Sequence, residues 1–310
     1  MIPYTRKTLP NGLTVVVNRD RASKLAAVNI LYRVGARNEN PARTGFAHLF
    51  EHLMFRGTRA VENFDLPVQM ASGDNNAFTN NDYTDFYITL PKDNLETALW
   101  LESDRMEGLD ITPAKLEAEK KVVIEEFRQR YLNQPYGDQT MLLRALAYKV
   151  HPYRWAAIGL ATDHIAGATL ADVESFYRTH YRPSNAILSI SADMEEKRML
   201  ELAEKWFAPL ADHPSETAAI PQEPVQTQAR RQEVERDVPA STVTVAYHMC
   251  ARTKPDFYTA WFRTCSRAAT RDASTRTSSK NATCCRASTP TSRATSIRDC
   301  SSSRASCSRA

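Results

Sequence analysis

The sequence predicts an α+β fold, and three observations carry that expectation. β-Branched runs of strand length recur through the first 210 residues, at 14–18, 25–34, 83–90 and 186–191. Stretches with helical apolar periodicity alternate with them, the clearest at 93–106, 112–130 and 195–207. A segment rich in Pro, Ala, Glu and Thr, 209–228, then breaks the pattern before a further alternating strand at 241–247. The predicted organisation is a first domain over 1–210, a linker over 211–230, the start of a second domain over 231–262 and a basic low-complexity tail over 263–310.

The chain has 310 residues, 42% of them hydrophobic, which is enough for two domains with real cores. Its net charge of +4 is unevenly placed, because residues 263–310 hold ten Lys/Arg and two acids. The tail therefore carries +8 and residues 1–262 carry −4, so the main body has no nucleic-acid footprint. Five of the six cysteines also lie after residue 262, which leaves the body without a disulfide framework. No apolar run reaches membrane-spanning length, and the opening Met1, Ile2, Pro3, Tyr4 is not read as a secretory signal. The compartment stays open between cytoplasm and periplasm.

In chain order, Asn11 and Gly12 signal a turn ahead of the run 14–18, an opening hairpin. A second strand at 25–34 ends at Gly35. After a loop through Pro41 comes Ala47, His48, Leu49, Phe50, Glu51, His52, Leu53. Phe46, Leu49, Phe50 and Leu53 form an apolar stripe at helical spacing, with Gly57 as a stop. His48 and His52, four apart, share a helix face and can offer two imidazole nitrogens to one metal ion. Glu51 stands beside them, where a carboxylate can take a proton from water in metal-assisted hydrolysis. Two histidines, a carboxylate and a water make an open zinc site, and H-x-x-E-H is the inverted form of the zincin motif.

Residues 64–70 read as helical and 72–75 as a turn. The helix at 93–106 is amphipathic, and its acids are expected on a solvated face. Thr112 and Pro113 open the helix that runs to Arg130, Thr as N-cap and Pro in the first turn. Residues 139–147 read as a helix. Thr169 with Asp172 three residues on starts another. Residues 195–207 make a last helix before the linker.

Residues 45–58, GFAHLFEHLMFRGT, closely resemble the zinc site of the M16 metallopeptidases, which include insulinase, pitrilysin and the mitochondrial processing peptidase. The resemblance covers residues 5–262. It implies a half-clamshell domain with a mixed or antiparallel sheet packed by helices, and one zinc ion per chain. It also implies a third ligand on a downstream helix, preceded by a glutamate seven residues earlier. Glu126 matches the ligand and Glu119 the earlier position, where a carboxylate orients the site. Glu125 is the rival ligand, about 100° round the helix from Glu126. Asn76, Ala77, Phe78 and Thr79 match the edge strand to which a substrate peptide adds by main-chain hydrogen bonds. His151, Pro152, Tyr153, Ile158 and Gly159 match a loop after the site helix, with His151 structural.

The resemblance implies a zinc endopeptidase acting on short or unfolded peptides, working with a second M16-type half from the same or another chain, as a homo- or heterodimer. The alternatives are a non-catalytic peptide-binding or assembly subunit and a truncated, inactive fragment that keeps the zinc site. Residues 263–310 contain no Leu, Val, Met or aromatic residue, so they cannot bury a core and are expected to be disordered. A nucleic-acid tail and a cysteine-rich metal or disulfide segment are two readings of them. The preferred reading is an out-of-frame product. With GC-rich codons, residues 268–284 can be read in another frame as GDSRRLYQDLVKERDL, which is similar to a second-domain segment of the family.

Overall fold

The computed structural model describes residues 2–213, 215 and 218–259, together with the backbone of 300–306. It divides into two units, Met1–Phe127 with Ala156–Ile220, and Arg128–Trp155 with Pro221–Ala310. The segment 128–155, which chain order alone would assign to the first domain, groups with the second unit.

The first unit is built on a six-stranded mixed sheet. Its strands are β1 (Thr5–Thr8), β2 (Thr14–Arg19), β3 (Leu25–Tyr32), β4 (Asp74–Thr79), β5 (Thr84–Pro91) and β6 (Ala186–Ala192). Their order is β1-β2-β6-β3-β5-β4. β2 and β6 are parallel, and every other pair is antiparallel. The opening hairpin forms at the Asn-Gly turn, where Gly12 takes the left-handed conformation that its missing Cβ permits.

Side chains alternate across the strands. Val15, Val17, Ala26, Val28, Ile30, Phe86, Ile88, Leu188 and Ile190 lie on the covered face and are buried. The helices are α1 (Phe46–Leu53), α2 (Asp65–Met70), α3 (Leu95–Glu107), α4 (Pro113–Phe127), α5 (Gln139–Ala147), α6 (Thr162–Ala166), α7 (Leu170–His180) and α8 (Glu196–Phe207); α6 lies outside the predicted helices, and α5 belongs to the second unit. The Thr169 hydroxyl caps α7 by accepting the Asp172 N–H, in a reciprocal capping box. The other face of the sheet keeps Asn29, Phe78, Asp85 and Tyr87.

Three expectations are corrected. The acids of α3 do not all lie on a solvated face: Glu102 is fully buried and pairs with Arg105. The Arg105 guanidinium also lies over the Phe64 and Phe86 rings, at 4.3 and 4.1 Å. This pairing lets α3 bury a charged turn that hydropathy placed in water. The turn expected at 72–75 is shorter, because β4 already begins at Asp74. The site helix ends at Phe127 rather than Arg130 and passes into a π-helical turn, Arg128–Leu132.

In the second unit, Ala147, Tyr148 and Tyr153 form a small core beside α5. Strand β7 (Thr242–His248) pairs antiparallel with β8 (Cys300–Ser306). The expected disorder of the tail does not describe 300–306, whose backbone is paired; 263–299 and 307–310 lie outside the described residues. The linker is not a free tether either. The buried Glu223 carboxylate accepts the N–H groups of Lys149, Val150 and His151, each at 2.9 Å. These bonds hold its carboxyl below the usual range against the opposing effect of burial. Among the described residues, no helix is long and apolar enough to cross a membrane.

Candidate metal centre

The centre is built on α1 and α4, both in the first unit. α1 buries Phe46, Ala47, Leu49, Phe50 and Leu53, with the Phe50 ring stacked on Tyr181 at 5.1 Å. This fixes the roll of the helix and turns His48, Glu51 and His52 to the other side. Its N-cap is Gly45, at φ 93°, which has no side chain to satisfy the first N–H groups. Glu39, six residues earlier and itself buried, supplies the cap. One carboxylate oxygen accepts the Gly45 N–H and the other the Ala47 N–H, both at 2.9 Å. A negative charge at that end of a helix is also favoured by the helix dipole.

α4 begins with the expected cap, Thr112 Oγ1 accepting the Lys115 N–H at 3.2 Å. It buries Leu116, Val123 and Phe127. Glu119 and Glu126, two turns apart, both reach the α1 histidines. Glu126 Oε2 lies 3.7 Å from His48 Nε2 and 3.4 Å from His52 Nε2. Glu119 Oε2 lies 3.4 Å from His52 Nδ1. One donor atom each from His48, His52 and Glu126 falls within a 4.8 Å group. Glu125, the rival on sequence, is exposed and lies outside this group. Glu119 is only 2% exposed and is engaged from its other side by the Arg56 guanidinium.

The electrostatics favour a cation. Burial works against a proton on His52, but its bonds to Glu119 and Glu126 outweigh burial and Glu51 adds to them, so the imidazole is pushed up to about 9. Two imidazole nitrogens and a carboxylate oxygen, converging in a partly buried site rich in negative charge, are the donor set of an open catalytic zinc site. A carboxylate on the far nitrogen of a ligating histidine fixes its tautomer and raises its basicity. The residues therefore fit zinc.

The four residues expected to take substrate, Asn76, Ala77, Phe78 and Thr79, all lie on β4, one of the two edge strands of the sheet. The turn after β4 is tied to the segment that caps α1. Asn80 and Asn81 carbonyls accept the Ala36 and Arg37 N–H groups at 3.1 and 2.9 Å, and Arg37 pairs with Asp82 at 2.7 Å. His151 lies in the second unit with its Nδ1 accepting the Tyr153 N–H at 3.1 Å.

Sequence reasoning missed Glu39 and Arg56. Glu39 acts on backbone groups six and eight residues away, which no periodicity marks. Arg56 lies past the helix end, and only the fold brings it to Glu119.

Comparison with known proteins gives a consistent result. Residues 14–156 match the family model for insulinase, peptidase family M16, and residues 167–260 match the model for the peptidase M16 inactive domain. A zinc protease of Helicobacter pylori, PqqE, is 35% identical over 235 residues, covering 74% of this chain and 53% of that protein. The mitochondrial-processing peptidase subunit beta of Caenorhabditis elegans is 27% identical over 217 residues, covering 69% of this chain and 46% of that one. The crystal structure of a protease from Helicobacter pylori superposes with a TM-score of 0.78 at 34% identity, covering 83% of this chain and 63% of that one. The chain thus spans about half the length of the curated relatives it matches.

Proposed function

Because the chain belongs to peptidase family M16, the insulinase family, we propose that it is a zinc-dependent endopeptidase with Glu51 as general base. The observation that carries this reading is the convergence of His48, His52 and Glu126 within 4.8 Å, on a face shared with Glu51. Zinc held by these three residues would supply Lewis-acid polarisation of the scissile carbonyl and lower the pKa of water.

The chain's own residues supply the rest. Glu51 takes the proton of the attacking water as its oxygen bonds to the carbonyl carbon, and returns that proton to the leaving amine as the C–N bond breaks. Glu119 holds the His52 ring from its Nδ1 side, and Arg56 holds Glu119, so the two are positioning residues. Among the described residues β4 pairs on one side only, and its outer edge takes an extended peptide by main-chain hydrogen bonds, with Asn76, Ala77, Phe78 and Thr79 as the seat. Substrates taken up this way are short or unfolded. The match spans only about half the length of these relatives, so a second M16-type half, in the same or a partner chain, completes the working enzyme.

The first test is zinc per chain on monodisperse protein, by elemental analysis. About one ion is expected, lost in His52→Ala. In Glu51→Gln the zinc stays and peptide cleavage falls by about two to four orders of magnitude. Folded protein without zinc, or substantial cleavage by Glu51→Gln, would overturn the reading. A chain that binds peptide but no zinc would be a binding subunit.

A further inference from the structure

We propose that Asp85 forms an acidic specificity subsite, which takes the Lys or Arg side chain of a peptide lying along β4. The inference rests on the strand-addition reading above and extends it to a substrate class.

Asp85 lies on the open face of the sheet, yet it is only 7% exposed. Its side chain accepts one hydrogen bond, from Asn29 Nδ2 at 2.7 Å on the neighbouring strand. The other buried carboxylates among the described residues each have a cation or several backbone N–H groups against them. Glu102 faces Arg105, Glu119 faces Arg56 and Asp82 faces Arg37. Glu39 and Glu223 each accept two or more backbone N–H groups. Asp85 has only a neutral amide, and no cation of the described residues lies within ion-pair distance. Burial accordingly pushes its carboxyl up to about 6, against the pull of Asn29, with the Glu102 charge adding. A carboxylate held this way gains from a cation brought from outside.

The register shows where that cation would come from. Asp85 is directly opposite Phe78 of β4. A peptide strand added beyond β4 lies two strand spacings from Asp85, about 9.6 Å, with Phe78 between. The Phe78 ring is 40% exposed and braced edge-to-face by Tyr83 at 5.8 Å. The long stem of a Lys or Arg opposite Phe78 can lie on this ring and deliver its charged head to Asp85. An unbranched apolar side chain keeps the contact with the ring and lacks the charge. An acidic one meets like charge.

The test is peptide binding by the full zinc-loaded chain carrying Glu51→Gln, so that nothing is cleaved. Fluorescein-labelled extended peptides carry one lysine, moved a position at a time among neutral residues, with norleucine counterparts, and affinity is read by anisotropy. At one position lysine is expected to improve affinity about tenfold over norleucine. Adding Asp85→Asn, which keeps an acceptor for Asn29, should bring that ratio to near one, with the circular dichroism spectrum retained. Equal affinities for lysine and norleucine at every position, or a lysine preference that survives Asp85→Asn, overturn the subsite and leave strand addition standing. Absence of binding by every peptide overturns strand addition itself, and the subsite with it.

Discussion

Replacing Asp85 by Asn should make the protein more stable at neutral pH and leave its stability unchanged in acid. Asp85 is buried against Asn29 and Leu31 of β3 and Phe78 of β4, with Glu102 acting through the sheet from α3. Its carboxyl is pushed up to about 6, whereas an aspartate in the unfolded chain titrates near 3.9. Below the lower value both states are protonated, and the group contributes nothing to pH dependence. Between the two, the unfolded chain gives up its proton first, so stability falls as pH rises. Above the folded value the full cost is present, about 3 kcal/mol, or about 2 after allowing for solvent screening on the open face. Asparagine is neutral throughout and still accepts the Asn29 bond. Urea unfolding followed by circular dichroism, run on both proteins from about pH 4 to about pH 8, isolates the effect, since every other group titrates alike. The difference should be near zero at the acid end and rise through the interval to about 2 kcal/mol in favour of Asp85→Asn. A difference that does not change with pH, or one that favours the native protein at neutral pH, would refute the reasoning.

Two further predictions concern the start of α1. Glu39→Ala strands the Gly45 and Ala47 N–H groups in a buried site, which should cost roughly 2–5 kcal/mol in urea unfolding. The same change should weaken zinc binding by about tenfold or more in a chelator competition, because the cap sets the position of His48. Gly45→Ala places a Cβ 2.7 Å from Ile165 Cδ1 and 2.8 Å from the Ile158 carbonyl oxygen, at a φ of 93°. The backbone alone should cost about 1–2 kcal/mol, with the contacts adding to it, and a melting temperature that does not fall would contradict this.

Much of the centre could be read from the sequence because its information is local. His48 and His52 are one turn apart, and Glu119 and Glu126 are two turns apart on another helix, so helical spacing sets each pair on one face, while the family resemblance is what singles out the second pair. The choice between Glu126 and Glu125 depends on the roll of α4, which its buried Leu116, Val123 and Phe127 fix. Most strands and helices appear where hydrophobic period and caps place them. What could not be read depends on partners distant in the chain. Glu102 looks like a surface acid until Arg105 is found stacked on Phe64 and Phe86. Glu39 looks like a loop residue until the backbone of α1 closes on it. The grouping of 128–155 with residues beyond 220 likewise arises from pairing that no local pattern records.

The place of β6 has a consequence for the order in which the molecule can assemble. β1 with β2, and β3 with β5 and β4, are two sets of strands whose partners lie nearer in sequence than those of β6. They share no direct edge and are joined only through β6, at residues 186–192. A growing chain can make α1 and α4, with the histidines and Glu126, long before that strand emerges from the ribosome. The two part-sheets then wait with unpaired edges, the condition in which nascent β structure misassembles. Closing the gap brings together strands some 170 residues apart, so β6 insertion should dominate the folding rate. A product that stopped short of residue 186 would carry every residue of the candidate metal centre and have no continuous sheet to support it.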